Sequence, residues 1–229
     1  APRPGFGKIA EGLSGIVPLT GRPDDVPLHV GFSLADTAAG LTGFFAVSML
    51  LYQRDIDGGK GAHIDVALFE PLFRMAECQL ALTERRGTPA IREGSNNPYG
   101  WGASGSDSGR QVGFACADGH WVMALLGDQA DAEDEIAREL AALDSAAALR
   151  RLAERGVAAA FVHDGLTLAS TSYFVERGDV VVVDGKDVGM VAVPGEVPKG
   201  REGPALPQFR APVENEDRAA VLGLAKASA

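Results

Sequence analysis

The longest uncharged stretch of the chain, Thr37 to Gln53, organises the pattern around it. Leu41, Phe44, Phe45, Val47, Met49, Leu50 and Leu51 make it apolar, with Gly40, Thr42, Gly43 and Ser48 between them. It falls just short of the roughly 18–20 residues that a membrane span needs. The expectation is a helix over about Leu34 to Arg54, buried in a protein core, and no membrane contact. Asp57-Gly58-Gly59-Lys60-Gly61 is a glycine-rich stop. His63-Ile64-Asp65-Val66 then alternates like a short strand. Leu68, Leu72, Met75, Leu80 and Leu82 give the stripe of a second helix over Ala67 to Arg86, closed by Gly87.

Upstream, Gly7 to Gly12 is a short helical candidate and Thr20 to Pro27 reads as a loop. Downstream, Thr88 to Gln111 is loop-like and marks a boundary. Val112–Cys116 and Trp121–Leu126 flank Asp118-Gly119 and predict a hairpin. Helices follow at Ala130–Leu143 and Ser145–Arg155. Val157–Val162, Val180–Val183 and Val188–Val193 are β-branched runs suited to strands. Pro194 to Pro212 reads as a proline-rich surface excursion and Asn215–Leu224 as a last short helix. The fold class is α/β: long helices first, a smaller α/β part after them.

Composition narrows the function. The 229 residues are 46% hydrophobic and carry a formal net charge of −10. That charge repels phosphate backbones, so nucleic acid is excluded as a partner, while a small anionic ligand is not. Cys78 and Cys116 are the two cysteines, too few for a disulfide framework or a metal cluster. Reduced thiols and a cytoplasmic location are expected, with no metal site.

Asp36 is the first candidate for chemistry. It lies where Val30-Gly31-Phe32-Ser33 runs into the apolar helix. Unpaired N–H groups at a helix start stabilise an anion there. A carboxylate so placed serves as a helix cap or as a nucleophile. The local pattern alone favours the cap. Ala35, Ala38, Ala39 and Gly40, however, leave room beside it for an acyl group. His29, His63, His120 and His163 read as structural, because no G-x-S-x-G elbow supplies a nucleophile. No Walker A, H-E-x-x-H or EF-hand pattern occurs. Gly102-Ala103-Ser104-Gly105 fits either a thioester or phosphate contact or a plain linker.

Several segments together resemble one family. Arg3-Pro4-Gly5-Phe6-Gly7-Lys8-Ile9-Ala10-Glu11-Gly12-Leu13-Ser14-Gly15 resembles the "RPGFD-IAQ-xSG" segment of class III CoA-transferases, the formyl-CoA transferase and carnitine dehydratase (CaiB/BaiF) group. Leu34-Ala35-Asp36-Thr37-Ala38-Ala39-Gly40 is similar to "VADLAAG", and Gly58 to Leu68 is similar to "TGRGQ-VDVSL". Leu152 to Ala160 is similar to "L-AAGVPAAPV", and Glu176-Arg177-Gly178 and Met190 to Gly195 fit later landmarks.

The resemblance implies transfer of coenzyme A between carboxylic acids, with Asp36 as the nucleophile. It implies acyl-CoA, a coenzyme A thioester, and a carboxylic acid acceptor as substrates, and no tightly bound cofactor. Phe6, Ala35 and Tyr99 would line the substrate, and a lid at Gly100–Gly109 would add Gly102 and Gly105. A racemase branch of the family uses a histidine near Phe6, and Phe6 moves no proton. The family's nucleotide-fold half normally precedes the Arg3–Phe6 segment. A partner chain supplying that half, or a self-dimer, is therefore expected; a fragment of a longer chain and a non-catalytic scaffold subunit are the other readings. The implied division is 1–100 for the large-domain part with the aspartate, 101–195 for the small domain, and 196–229 for a returning segment.

Overall fold

The computed structural model describes residues 5–76, 78–92, 94, 110–185, 188–200 and 218–223. The chain divides into two compact units, Ala1–Phe161 and Val162–Ala229. The expected boundary at residue 100 lies outside the described residues.

Three helices form the first cluster of the first unit. Helix α1 spans Gly7–Ser14 and is closed by Gly15 at φ 82°, a left-handed conformation that glycine adopts without cost. Helix α2 spans Leu34–Ile56 and α3 spans Glu70–Met75. Ala10, Ala35, Ala38 and Leu72 are buried together, with Ile16, Leu34 and Leu68 packed against them. Three of those four buried residues are alanines, so the α1 and α2 backbones come close.

The expectation of a core-buried α2 is not met. Only Ala35 and Ala38 are buried along it, while Leu41, Phe44, Phe45, Met49 and Tyr52 are each more than half exposed. The physical reason is supply: α1 and α3 reach only part of the helix, and the described residues place nothing buried against the rest. Its 23 residues have the length and hydropathy of a membrane span, and among the described helices it alone does. Thr37 and Ser48 turn their hydroxyls back to the carbonyls of Ser33 and Phe44, which removes polarity from its surface.

Two further expectations need correction. The Ala67–Arg86 helix is two helices, α3 and α4 (Gln79–Arg86). Pro71 lacks an N–H and suits only a first turn, so α3 starts at Glu70, whose carboxylate accepts the Ala67 N–H at 2.9 Å. His63–Val66 forms no strand. Among the described residues no neighbour pairs with it, and a lone strand leaves its backbone groups unbonded.

The second cluster of this unit is a three-stranded antiparallel sheet, β1 (Gln111–Ala115), β2 (Trp121–Leu125) and β3 (Ala158–Phe161), in that order. The β1–β2 hairpin pairs Gln111 with Leu125 and Ala115 with Trp121. Alternation then sends Phe114, Val122 and Ala124 inward. Helices α5 (Glu133–Leu140) and α6 (Ser145–Glu154) cover that face with Ile136, Leu140, Ala148 and Leu152, each pair one turn apart. A 3-10 segment, Gly127–Ala132, takes in residues 130–132, where the expected α-helix was to begin. Arg155 bridges Glu135 at 3.0 Å and Glu139 at 2.6 Å, joining the two helices.

The second unit holds α7 (Gly165–Ser170), α8 (Ser172–Glu176) and the β4–β5 hairpin, Val180–Asp184 with Met190–Pro194. Asp164 and Thr167 form a capping box at the α7 start. Helix α9 is Arg218–Val221, and most of the expected proline-rich excursion lies outside the described residues.

The hairpin turn also caps α6. Asp118 accepts the Ser145 N–H at 2.9 Å and the Ser145 hydroxyl at 2.7 Å. Beside it, Asp144 accepts the Ala147 N–H at 2.7 Å. The bonds from Ser145 hold the Asp118 carboxyl below its ordinary value of 3.8. A carboxyl depressed on folding stabilises fully above its unfolded value and loses that contribution as pH falls through the folded one. Asp118→Asn is expected to lower the melting temperature at pH 7, with the gap to wild type closing below pH 3.8, read by circular dichroism melts across pH. Asp144→Ala is expected to cost about 1 kcal/mol in the same melts, the usual loss of an N-cap.

Candidate functional site

Asp36 stands at the third position of α2, and the cap position belongs to Ser33. Its carboxylate is exposed and makes no hydrogen bond or ion pair among the described residues. The cap reading is therefore not what the geometry shows. The carboxylate lies instead over the first residue of α1. A methyl group built on Gly7 would overlap Asp36 Oδ2 and stand 3.3 Å from its Cγ. Only a residue without a side chain lets the acid rest there.

Two helix starts thus meet at one carboxylate. In α1 the first backbone bond runs from Ala10 N–H to Phe6 O, so the N–H groups of Gly7, Lys8 and Ile9 have no acceptor within the helix. Asp36 occupies the first turn of its own helix as well. Both dipoles favour negative charge at this point. Phe6, the N-cap of α1 in extended conformation, is 70% exposed and flanks the same turn.

The other expected site residues separate. Ala35 is fully buried with Ala10, Ala38 and Leu72, so its side chain sets the helix approach. Tyr99, Gly102 and Gly105, with the expected lid, lie outside the described residues. Gly40 remains exposed, with open space where a side chain would be.

The sequence reading gave Gly7, Lys8 and Glu11 no role and read His29 as structural. Glu11 is buried, its Oε2 2.9 Å from His29 Nδ1 and its Oε1 3.3 Å from Lys8 Nζ. The available signal was departure from the motif, since Gly7 and Glu11 stand where "RPGFD-IAQ" has an aspartate and a glutamine.

Elsewhere the described residues offer little chemistry. Cys116 is buried, and burial pushes its thiol up, away from reactivity. His120 packs on Phe161 at 5.1 Å and His163 on Phe174 at 5.0 Å. A cavity of about 470 Å³ in the second unit is lined mainly by Leu168, Phe174, Val180 and Ala192. Its one acid, Asp179, is bound to Lys199 and Arg177, with Lys199 contributing most to holding its carboxyl low. No group of three potential ligands is placed to hold a metal among the described residues.

A free carboxylate thus stands at two helix starts in a mixed α/β chain. The chain belongs to CoA-transferase family III, whose profile matches residues 1–132. It is 30% identical to the beta subunit of succinyl-CoA–L-malate CoA-transferase from Chloroflexus aurantiacus, over 96% of this chain and 60% of that protein. It is 27% identical to succinyl-CoA:mesaconate CoA-transferase from Haloarcula hispanica, again over 96% and 60%. A 97-residue stretch is 36% identical to acetyl-CoA:oxalate CoA-transferase from Acetobacter aceti, covering 42% of this chain and 25% of that one. The fold matches a CaiB/BaiF family protein from Brucella suis with a TM-score of 0.76 at 21% identity, covering 97% of this chain and 63% of that one. The chain spans about 60% of the length of the two relatives it matches end to end.

Gly7→Ala tests the close approach directly. The variant is expected to stay folded, with melting changed by no more than about 1 kcal/mol, the range of a glycine–alanine exchange in a helix. Its crystal structure is expected to show the Asp36 carboxylate turned off α1.

Proposed function

We propose that this chain carries the nucleophile of an enzyme that moves coenzyme A between carboxylic acids, and that the nucleophile is Asp36. The supporting observation is the exposed, unengaged Asp36 carboxylate resting on the first turn of α1. Family membership supports the reaction class.

In this reading the Asp36 carboxylate attacks the thioester carbonyl of the donor. The carbon–sulfur bond breaks, leaving a mixed anhydride and CoA thiolate. The thiolate attacks the aspartyl carbonyl, releasing the donor acid and leaving an aspartyl-CoA thioester. The acceptor carboxylate then attacks that thioester, giving a second anhydride and freeing the thiolate. Attack of the thiolate on the acceptor's acyl carbon makes the product and restores Asp36. Anhydride and thioester lie close in acyl-transfer energy, so each step is reversible and one hard displacement becomes several easier ones. The N–H groups of Gly7, Lys8 and Ile9, which have no acceptor within α1, are the candidate donors for the tetrahedral oxyanion.

Relatives named for succinyl-CoA make it the first donor to try, with small dicarboxylic or hydroxy acids as acceptors. We further propose that this chain works with a partner, either a second chain or a second copy. The exposed apolar face of α2 supports this, since such a patch marks an interface. Both subunits of one two-subunit transferase are among the relatives. The cytoplasm suits the two free thiols. A racemase would need a base at Phe6, and a scaffold subunit would leave Asp36 as a cap, so neither fits the geometry as well.

The assembled protein, incubated with succinyl-CoA and hydroxylamine or borohydride, is expected to show a hydroxamate or a reduced side chain at Asp36 by peptide mass spectrometry. Asp36→Ala should lose about 10⁴-fold or more in kcat, the scale of removing a covalent nucleophile. Full activity in that variant would refute the proposal.

A further inference from the structure

Glu11 is a buried charge that the proposed reaction leaves unused. Its side chain is 1% exposed, and a carboxylate removed from water is costly unless it is paired. Both of its partners serve the chain that enters α2. His29, 2.9 Å away, begins that connection. Lys8, 3.3 Å away, donates onward to Val30 O at 2.7 Å and to Phe32 O at 3.2 Å. Phe32 O also accepts the N–H of Leu34, the first residue of α2, at 2.9 Å.

Lys8 directly follows Gly7, the residue under the Asp36 carboxylate. Here one ammonium is spent on a buried acid and two main-chain carbonyls, and those carbonyls belong to residues 30 and 32, just ahead of Asp36. The helix start that holds Asp36 is thereby tied to the helix start that Asp36 rests on.

We propose that Glu11, acting through Lys8 and His29, is a positioning residue for Asp36. This rests on the reading of Asp36 as the nucleophile. Glu11 orients Lys8, Lys8 holds residues 30–32, and the first turn of α2 keeps the carboxylate over Gly7.

The test compares Glu11→Gln, Lys8→Met and Lys8→Arg in the assembled protein. Amide hydrogen exchange over residues 29–37 is expected to rise about 10-fold or more in the first two, with β1–β3 unchanged, and to return towards wild type in Lys8→Arg. Asp36 acylation by succinyl-CoA, trapped with hydroxylamine, is expected to slow about 10-fold or more in the first two, with KM unchanged. Unchanged exchange in the folded variants overturns the proposal, and so does faster exchange with acylation at the wild-type rate. Should Glu11→Gln fail to fold, Lys8→Met carries the test, since Lys8 is 44% exposed. Should wild type show no acylation at Asp36, the nucleophile reading falls. The exchange data then decide separately whether Glu11 and Lys8 hold residues 29–37.

Discussion

The close approach of two helix starts is the constraint on which this site depends. Alanines at 10, 35 and 38 let α1 and α2 touch through their backbones, and Gly7 leaves a vacancy that the Asp36 carboxylate fills. Larger side chains at those alanines would push the helices apart, and any side chain at Gly7 would push the acid away. The acid consequently gains exposure, the positive ends of two helices and, among the described residues, freedom from a competing hydrogen bond of its own. These are the conditions under which a carboxylate serves as a nucleophile rather than as a structural anchor.

Much of this was legible in the residues. The uncharged Thr37–Gln53 run announced α2, Asp118-Gly119 announced the hairpin, and the stripes of α5 and α6 announced the helices that cover the sheet. Asp36 was legible as an acid at a helix start, and the motif order singled it out from other such acids. Periodicity says that a segment is helical but not what covers it, which is why the exposure of α2 was missed. Pro71 was visible in the sequence, and its rule was outweighed by a leucine stripe that ran across it. Helix α7 escaped because Asp164 is answered by a threonine rather than by the usual Glu or Gln of a capping box.

The site's supporting residues were harder to read for a different reason. Lys8 and Glu11 are three apart on a helix, the spacing of an ordinary solvent-exposed pair. Nothing in that spacing says that Glu11 is buried or that Lys8 reaches the carbonyls of Val30 and Phe32. His29 likewise gains its meaning only from a contact 18 residues distant along the chain. Tertiary proximity, not local pattern, turns a common salt bridge into a tie between two segments.

The bare flank of α2 has a thermodynamic consequence. Phe44 and Phe45 are about three-quarters and two-thirds exposed, so a surface shaped to the folded helix that docks on them favours the folded chain over the unfolded one. Such selective binding adds to stability by mass action, in proportion to the logarithm of the ligand's concentration. Folding free energy then ceases to be a property of this polypeptide alone and becomes a shared quantity, rising with the abundance of whatever seals the helix.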